Sequence, residues 1–182
     1  MRSFMISQKM IFFDTDCMSS FLWANETNLL VQLYSGRMCL PKEVEKELTY
    51  PRLPSFFSSN ISRLVSNRAL FVLPAFNINS QEYRFYLQLT QNGAKSIGSG
   101  EAAALVLAIS NNGTIASNNF KDIGSYVQKY NLHHLTTGRI LKDSYNKHLK
   151  TLPDCEMIWK TLISRRRKLP TKTFAEFLKR NL

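Results

Sequence analysis

Short apolar runs alternate along the chain with stretches in which apolar residues recur every three or four positions, the pattern of strands alternating with helices. The run MIFF at 10–13, followed at once by Asp14, predicts a buried strand with polar residues at its C-terminal edge. Asp16 is placed to cap a following helix, whose apolar positions Phe21, Leu22, Leu29, Leu30 and Leu33 are split around residues 25–28. RMCL at 37–40 predicts a second strand. Pro41 suits the first turn of a helix that carries Val44, Glu47 and Leu48, and Pro51 and Pro54 end it. A helix over 55–67, a strand over 69–73 and a helix over 80–89 follow.

The segment from 99 to 113 has the strongest pattern. Ser99 reads as an N-cap, Gly100 and Glu101 open the helix, AAALVLAIS is almost wholly apolar, and Gly113 suits the left-handed position beyond its end. TIAS at 114–117 predicts another strand, with Asn118 and Asn119 at its edge and a helix running on through Tyr126 and Val127. A strand over 132–136 and a helix over 137–149 complete the alternation. Pro153 separates off two terminal helices, 154–167 and 173–180, the second opening with the capping-box spacing Thr173 to Glu176. The whole predicts one α/β domain over 1–182, layered around a mostly parallel sheet, with a core over about 10–150 and a helical C-terminal segment over about 151–182.

Composition changes this picture only at its edges. With 182 residues and 44% hydrophobic positions the chain can fill one ordinary core, and it is neither disordered nor collagenous. Its three cysteines, Cys17, Cys39 and Cys155, are far apart and include no Cys-x-x-Cys pair, which argues against a disulfide framework or a zinc knuckle. No apolar run is long enough for a membrane helix, and Gln8 and Lys9 interrupt the N-terminal one, with no small-residue cleavage site after it. A cytoplasmic protein without a membrane partner is the expectation.

Charge adds more. The formal net charge is +11, and residues 142–182 hold 11 Lys and Arg against four acids. Arg165, Arg166, Arg167 and Lys168 stand in a row. Such a face attracts polyanions by steering and counterion release, so these four are candidate nucleic-acid contacts, although a basic run is as often a solvated helix face.

Only 13 acids are present, and four fall where a parallel sheet would gather them. Asp14 follows MIFF, Glu47 lies on the helix after RMCL, Glu101 opens the apolar helix, and Asp122 follows TIAS and the Asn118-Asn119 pair. Clustered carboxylates are costly unless a cation neutralises them, and hard oxygen ligands favour Mg²⁺ or Mn²⁺. Each acid also suits a plainer role: Asp14 a cap, Glu47 an exposed acid beside Lys42 and Lys46, Glu101 a macrodipole partner, Asp122 a partner of Lys121 or Lys129. His133 and His134 read as structural, and Cys17 as a small buried residue.

The segments MIFFDTD, PKEVEKEL, GEAAALVLA and TIASNNFKDI, in that order, resemble the PIN-domain nucleases, and KLPTKTFAEFL resembles the end of bacterial members. The resemblance implies an α/β/α sandwich and Mg²⁺- or Mn²⁺-dependent RNA hydrolysis, in the manner of VapC-like toxins held by a cognate antitoxin. It implies Asp14 as the central metal ligand, Glu101 and Asp122 completing the ion site, and Glu47 binding a second ion or orienting water. RNA is the expected substrate, an antitoxin the expected protein partner, and a homodimer is an assembly to look for. Many PIN proteins carry an Asp directly after the TIAS-like strand, where this chain has Asn118 and Asn119. The alternative is therefore a degenerate PIN module that binds RNA or a protein without cleavage. Asp14-Thr15-Asp16 is also similar to the haloacid-dehalogenase phosphatases, but Met18 and Asn118-Asn119 do not supply that family's remaining motif residues.

Overall fold

Among the described residues, five three-residue strands pair in parallel in the order β3-β2-β1-β4-β5. They are β1 (Ile11–Phe13), β2 (Met38–Leu40), β3 (Leu70–Val72), β4 (Thr114–Ala116) and β5 (His133–Leu135). The computed structural model describes residues 9–181, so the N-terminal part of the apolar run discussed above, residues 1–8, lies outside the described residues. From β1 in the middle of the sheet the chain builds outward through β2 and β3, then returns to the other side of β1 for β4 and β5. Phe12 sits in register with Cys39 on one side and Ile115 on the other.

Strand side chains alternate between two cores, as a period of two requires. Ile11, Phe13, Met38, Leu40, Leu70, Ala116 and Leu135 face one hydrophobic cluster. Phe12, Cys39 and Ile115 face the other. On the first face lie α1 (Thr15–Trp23), α2 (Thr27–Tyr34), α4 (Ser55–Ser66), α8 (Thr137–Asn146), α9 (Leu152–Ser164) and α10 (Phe174–Arg180). On the second lie α5 (Gln81–Thr90), α6 (Ser99–Ser110) and α7 (Phe120–Lys129). The remaining helix, α3 (Lys42–Leu48), sends Val44 and Leu48 into the first cluster and packs against both α1 and α6. A parallel sheet must be covered on both faces, which explains why its strands read as continuous apolar runs. No helix among the described residues is long and apolar enough to cross a membrane.

The predicted elements all form, and the differences lie at helix ends. Asp14, not Asp16, caps α1: its Oδ1 accepts the Cys17 N–H at 2.7 Å. Asp16 is already inside the first turn, where its side chain is free to be used elsewhere. Gly98 rather than Ser99 is the N-cap of α6, without a side-chain bond of its own. Beyond α6 the left-handed residue is Asn112, with φ 48°. Gly113 serves a different need, because a Cβ there would stand 2.9 Å from the Met10 carbonyl oxygen and run into the Phe12 ring. The capping box that closes fully is at α9, between Thr151 and Asp154; at α10 Thr173 accepts from the Glu176 N–H, but Glu176 turns to the Lys172 N–H.

The C-terminal helices are built into the main core. Trp159 on α9 is fully buried, packs on Phe174 and Phe177 of α10 at ring separations of 5.6 and 5.3 Å, and donates its indole N–H to the Thr171 carbonyl at 3.1 Å. Trp159→Ala is therefore expected to cost about 3–5 kcal/mol in urea unfolding, and truncation after residue 150 to prevent cooperative folding. Wild-type-like unfolding of the truncated chain would show that the last two helices are an appendage.

Candidate functional site

Because β1 and β4 are neighbours in register, the residues that follow them, Asp14 and Ser117, emerge side by side at the C-terminal edge of the sheet. This is where strand order reverses, the place where open α/β sheets form a crevice. A hollow of about 160 Å³ opens there, lined by Asp14, Thr15, Asp16, Glu47, Glu101 and Asn119, with the 98–100 segment completing its wall. Three of the four acids singled out from the sequence thus meet, although they are far apart in the chain.

Asp14 is 2% exposed. Burial raises its carboxyl to about 7, and the neighbouring charges of Asp16 and Glu47 push the same way, against the opposing bonds from Ser117 and the Cys17 N–H. Glu101, in the first turn of α6, is raised to about 8 by burial and by the charges of Asp14 and Asp122. The Ser117 hydroxyl stands beside both acids: it opposes the rise of the Asp14 carboxyl and reaches Glu101 Oε1 at 3.5 Å. Nothing in the TIAS motif alone singles out Ser117; only the strand pairing does.

Glu47 is committed differently. Its Oε1 accepts the Gly100 N–H at 3.0 Å, and its Oε2 accepts the Thr15 hydroxyl. It therefore supplies, from another helix, the cap that α6 lacks, and places a negative charge at the positive end of that helix. A Cβ on residue 100 would lie 2.8 Å from Glu47 Oε2, so this approach requires glycine.

Asp122 does not line the hollow. It lies exposed in the first turn of α7 and reaches Glu101 only through Asn119, whose amide nitrogen donates to Glu101 Oε2 at 3.2 Å and to Asp122 Oδ2 at 2.6 Å. Asn118 points elsewhere: it donates to Asp16 Oδ2 at 2.8 Å and to the Thr137 hydroxyl, and accepts the Thr137 N–H at 2.9 Å. His134, buried, bonds the Ser117 carbonyl at 2.7 Å, and burial lowers its pKa. It supports the edge of β4 and does not enter the hollow.

The basic run divides. The Arg165 guanidinium stacks over Trp23 at 4.9 Å, and Arg167 pairs with Asp16 Oδ1 at 2.7 Å. Arg166, Arg167 and Lys168 wall a second hollow together with Asp16, Asn118 and Asn119. The turn that makes this happen is at Arg166, which takes the left-handed conformation (φ 58°) normally given to glycine after a helix.

Among the described residues no group of three or more His, Cys, Asp and Glu side chains stands ready to hold an ion. What the hollow offers is two carboxylates held near neutrality, Asp14 and Glu101, with Ser117 and Asn119 beside them. The chain matches no protein-family model and no curated protein.

Both raised acids hold their protons more tightly in the folded chain than in the unfolded one. The folded state therefore carries the excess of protons from the ordinary carboxylate range up to about 8, and stability falls as pH rises through that window. The lowered pKa of His134 gives the opposite slope, but only below its ordinary value of 6.5. In chelator, the melting temperature is expected to drop by several degrees between about pH 6.5 and about pH 8.5, and the drop to shrink in Asp14→Asn and in Glu101→Gln. A flat profile in the wild-type protein would mean that neither carboxyl is raised.

Proposed function

We propose that this protein is a PIN-like metal-dependent ribonuclease, which hydrolyses RNA phosphodiester bonds at the Asp14–Glu101 hollow. One observation carries the reading: Asp14, Glu47 and Glu101 converge on a single crevice at the sheet's switch point, immediately beside a hollow walled by Arg166, Arg167 and Lys168. The order of motifs that resembles PIN nucleases supports it, as does an all-parallel sheet covered by helices on both faces. The toxin assignment, with a cognate antitoxin as partner, rests on the resemblance alone.

The donor chemistry fits a hard divalent cation. Mg²⁺ keeps several waters and is held by one or two carboxylates together with substrate phosphate, so a pair of acids suffices. Asp14 and Glu101 would hold it. When bound, such an ion lowers the pKa of water and stabilises charge on phosphoryl oxygen. The chain's own residues do the rest. Without an ion, burial and mutual repulsion raise both carboxyls, Asp14 to about 7 and Glu101 to about 8, so the hollow exchanges protons for a cation. The Cys17 N–H orients Asp14, Ser117 reaches Glu101, Glu47 fixes the N-terminus of α6 and with it Glu101, and Asn119 keeps Glu101 in place from the other side. Arg166 and Lys168, which form no ion pair among the described residues, receive the flanking phosphates.

The second reading, a degenerate module that binds without cutting, is favoured by the amides. Asn118 and Asn119 follow β4 where many PIN proteins carry a charged residue, and both are occupied in holding neighbours.

Purified protein is expected to cleave a structured RNA within its unpaired segments in Mn²⁺ or Mg²⁺ and to stop in chelator. Asp14→Asn and Glu101→Gln should each abolish most of the cleavage. Asp122→Asn should lower it about 10- to 100-fold, the effect of a residue that acts on a ligand from outside the ligand set. RNA binding without cleavage under all metal conditions would favour the second reading; chelator-resistant cleavage would remove the first.

A further inference from the structure

A third hollow is joined to the other two through the bond from Asn119 to Asp122, and the reading above gives it no task. It encloses about 350 Å³, and its walls include Lys95, Ser96, Lys121, Asp122, Ser125 and Tyr126. Asn119 lines both the acid hollow and the arginine hollow, and its amide donates to Asp122, which lines this third one. Because α7, which carries Lys121 and Tyr126, covers one face of the sheet and α9, which ends at the arginine hollow, covers the other, a polymer whose reacting linkage lay at Asp14 and Glu101 could have a cationic wall on each flank.

The composition of this hollow is that of a phosphate site. Neither Lys95 nor Lys121 takes part in an ion pair among the described residues, so both charges are available. Ser96 and Ser125 add two hydroxyl donors. The wall holds one acid, Asp122, and its Oδ2 is already bonded to Asn119. Tyr126 adds an aromatic wall backed by Phe85 at 6.1 Å. Cationic side chains beside an aromatic ring are how proteins take single-stranded nucleic acid, the charges following the backbone and the ring carrying a base. The volume is within the range that small-molecule sites of nucleotide size occupy.

We infer that Lys95, Lys121 and Tyr126 form a nucleotide subsite for single-stranded RNA, binding a nucleotide that flanks the scissile linkage, while Arg166 and Lys168 bind the strand beyond the linkage in the other direction. The inference rests on the ribonuclease reading. It adds to that reading a second contact for the strand, which would span the acid hollow with phosphate contacts at both ends. A duplex would present its paired bases to each other and leave Tyr126 without one.

The test is fluorescence anisotropy of a labelled single-stranded oligoribonucleotide of about 12 nucleotides, in chelator so that no cleavage intervenes, across a salt series. Lys95→Gln/Lys121→Gln should lower the slope of log K against log salt by about 0.7 to 1.4, one or two lost phosphate contacts. Tyr126→Leu should weaken binding roughly fivefold or more at an unchanged slope, because it removes stacking and no charge. Lys147→Gln/Lys160→Gln, which lie in none of the three hollows, serve as the control, and thermal melts verify that every variant is folded. If Lys95→Gln/Lys121→Gln leaves the slope unchanged while Arg166→Gln/Lys168→Gln lowers it, the subsite is overturned and the ribonuclease reading stands. If the wild-type protein shows no salt-dependent RNA binding in chelator, the subsite is overturned, and the cleavage assay with and without metal decides the ribonuclease reading separately.

Discussion

A carboxyl group that is 2% exposed at the end of the central strand constrains much of what surrounds it. Burying Asp14 disfavours its charged form, and the chain offsets this with a backbone N–H from Cys17 and a hydroxyl from Ser117. Both partners are products of the fold. The Cys17 N–H is available because α1 starts directly after β1, and the Ser117 hydroxyl arrives because β4 pairs with β1. A second partly buried acid, Glu101, then adds repulsion that nothing in the crevice neutralises completely. The result is a pocket whose electrostatics favour a proton or a cation, which is a property of use to a hydrolase and a cost to stability.

The elements themselves were legible in the sequence because they rest on local patterns. MIFF, RMCL and TIAS are strands bounded by polar residues, and the Ala-rich helix announces its span. Three of the four acids could be placed on one edge because parallel sheets gather strand ends. What could not be read was which group satisfies which helix end. Asp14 and Asp16 are both good caps, and the choice between them depends on where the strand stops, a matter of one or two residues. Ser99 has the right chemistry, yet α6 is capped from a distance by Glu47, a bond across 53 residues that no local rule could disclose. Asn112 and Gly113 exchange roles for a similar reason: the backbone beside Met10 and Phe12 leaves no room for a side chain at 113, so the glycine is spent there.

The basic run shows the same limit from the side of charge. As sequence it is four equivalent cations. Packing makes them unequal: Arg165 covers Trp23, Arg167 neutralises Asp16, and Arg166 and Lys168 remain exposed on the wall of a hollow. The pair between Arg167 and Asp16 also ties the end of α9 to the start of α1, so the segment with the highest charge density is anchored at the crevice by one of its own members. Net charge biases the class of partner, but the direction in which it acts is set by these few contacts.

Asn118 explains why a carboxylate is not found at the position following Ser117. The amide does two things at once: its nitrogen donates to Asp16 and to the Thr137 hydroxyl, and its oxygen accepts the backbone N–H that opens α8. A carboxylate could perform only the second. It would also place a further negative charge beside Asp16 and near Asp14, whose carboxyl is already pushed up to about 7. Without a cation, that charge would deepen the repulsion; with one, it would add a ligand but release Asp16 from its amide partner and leave it dependent on Arg167 alone. The amide at 118 therefore couples β4, α1 and α8 into one rigid edge at the expense of a charge in the crevice. Negative charge on the β4 side is supplied instead by Asp122, one turn further on and acting through Asn119, where it influences Glu101 without adding to the burial of charge at the centre.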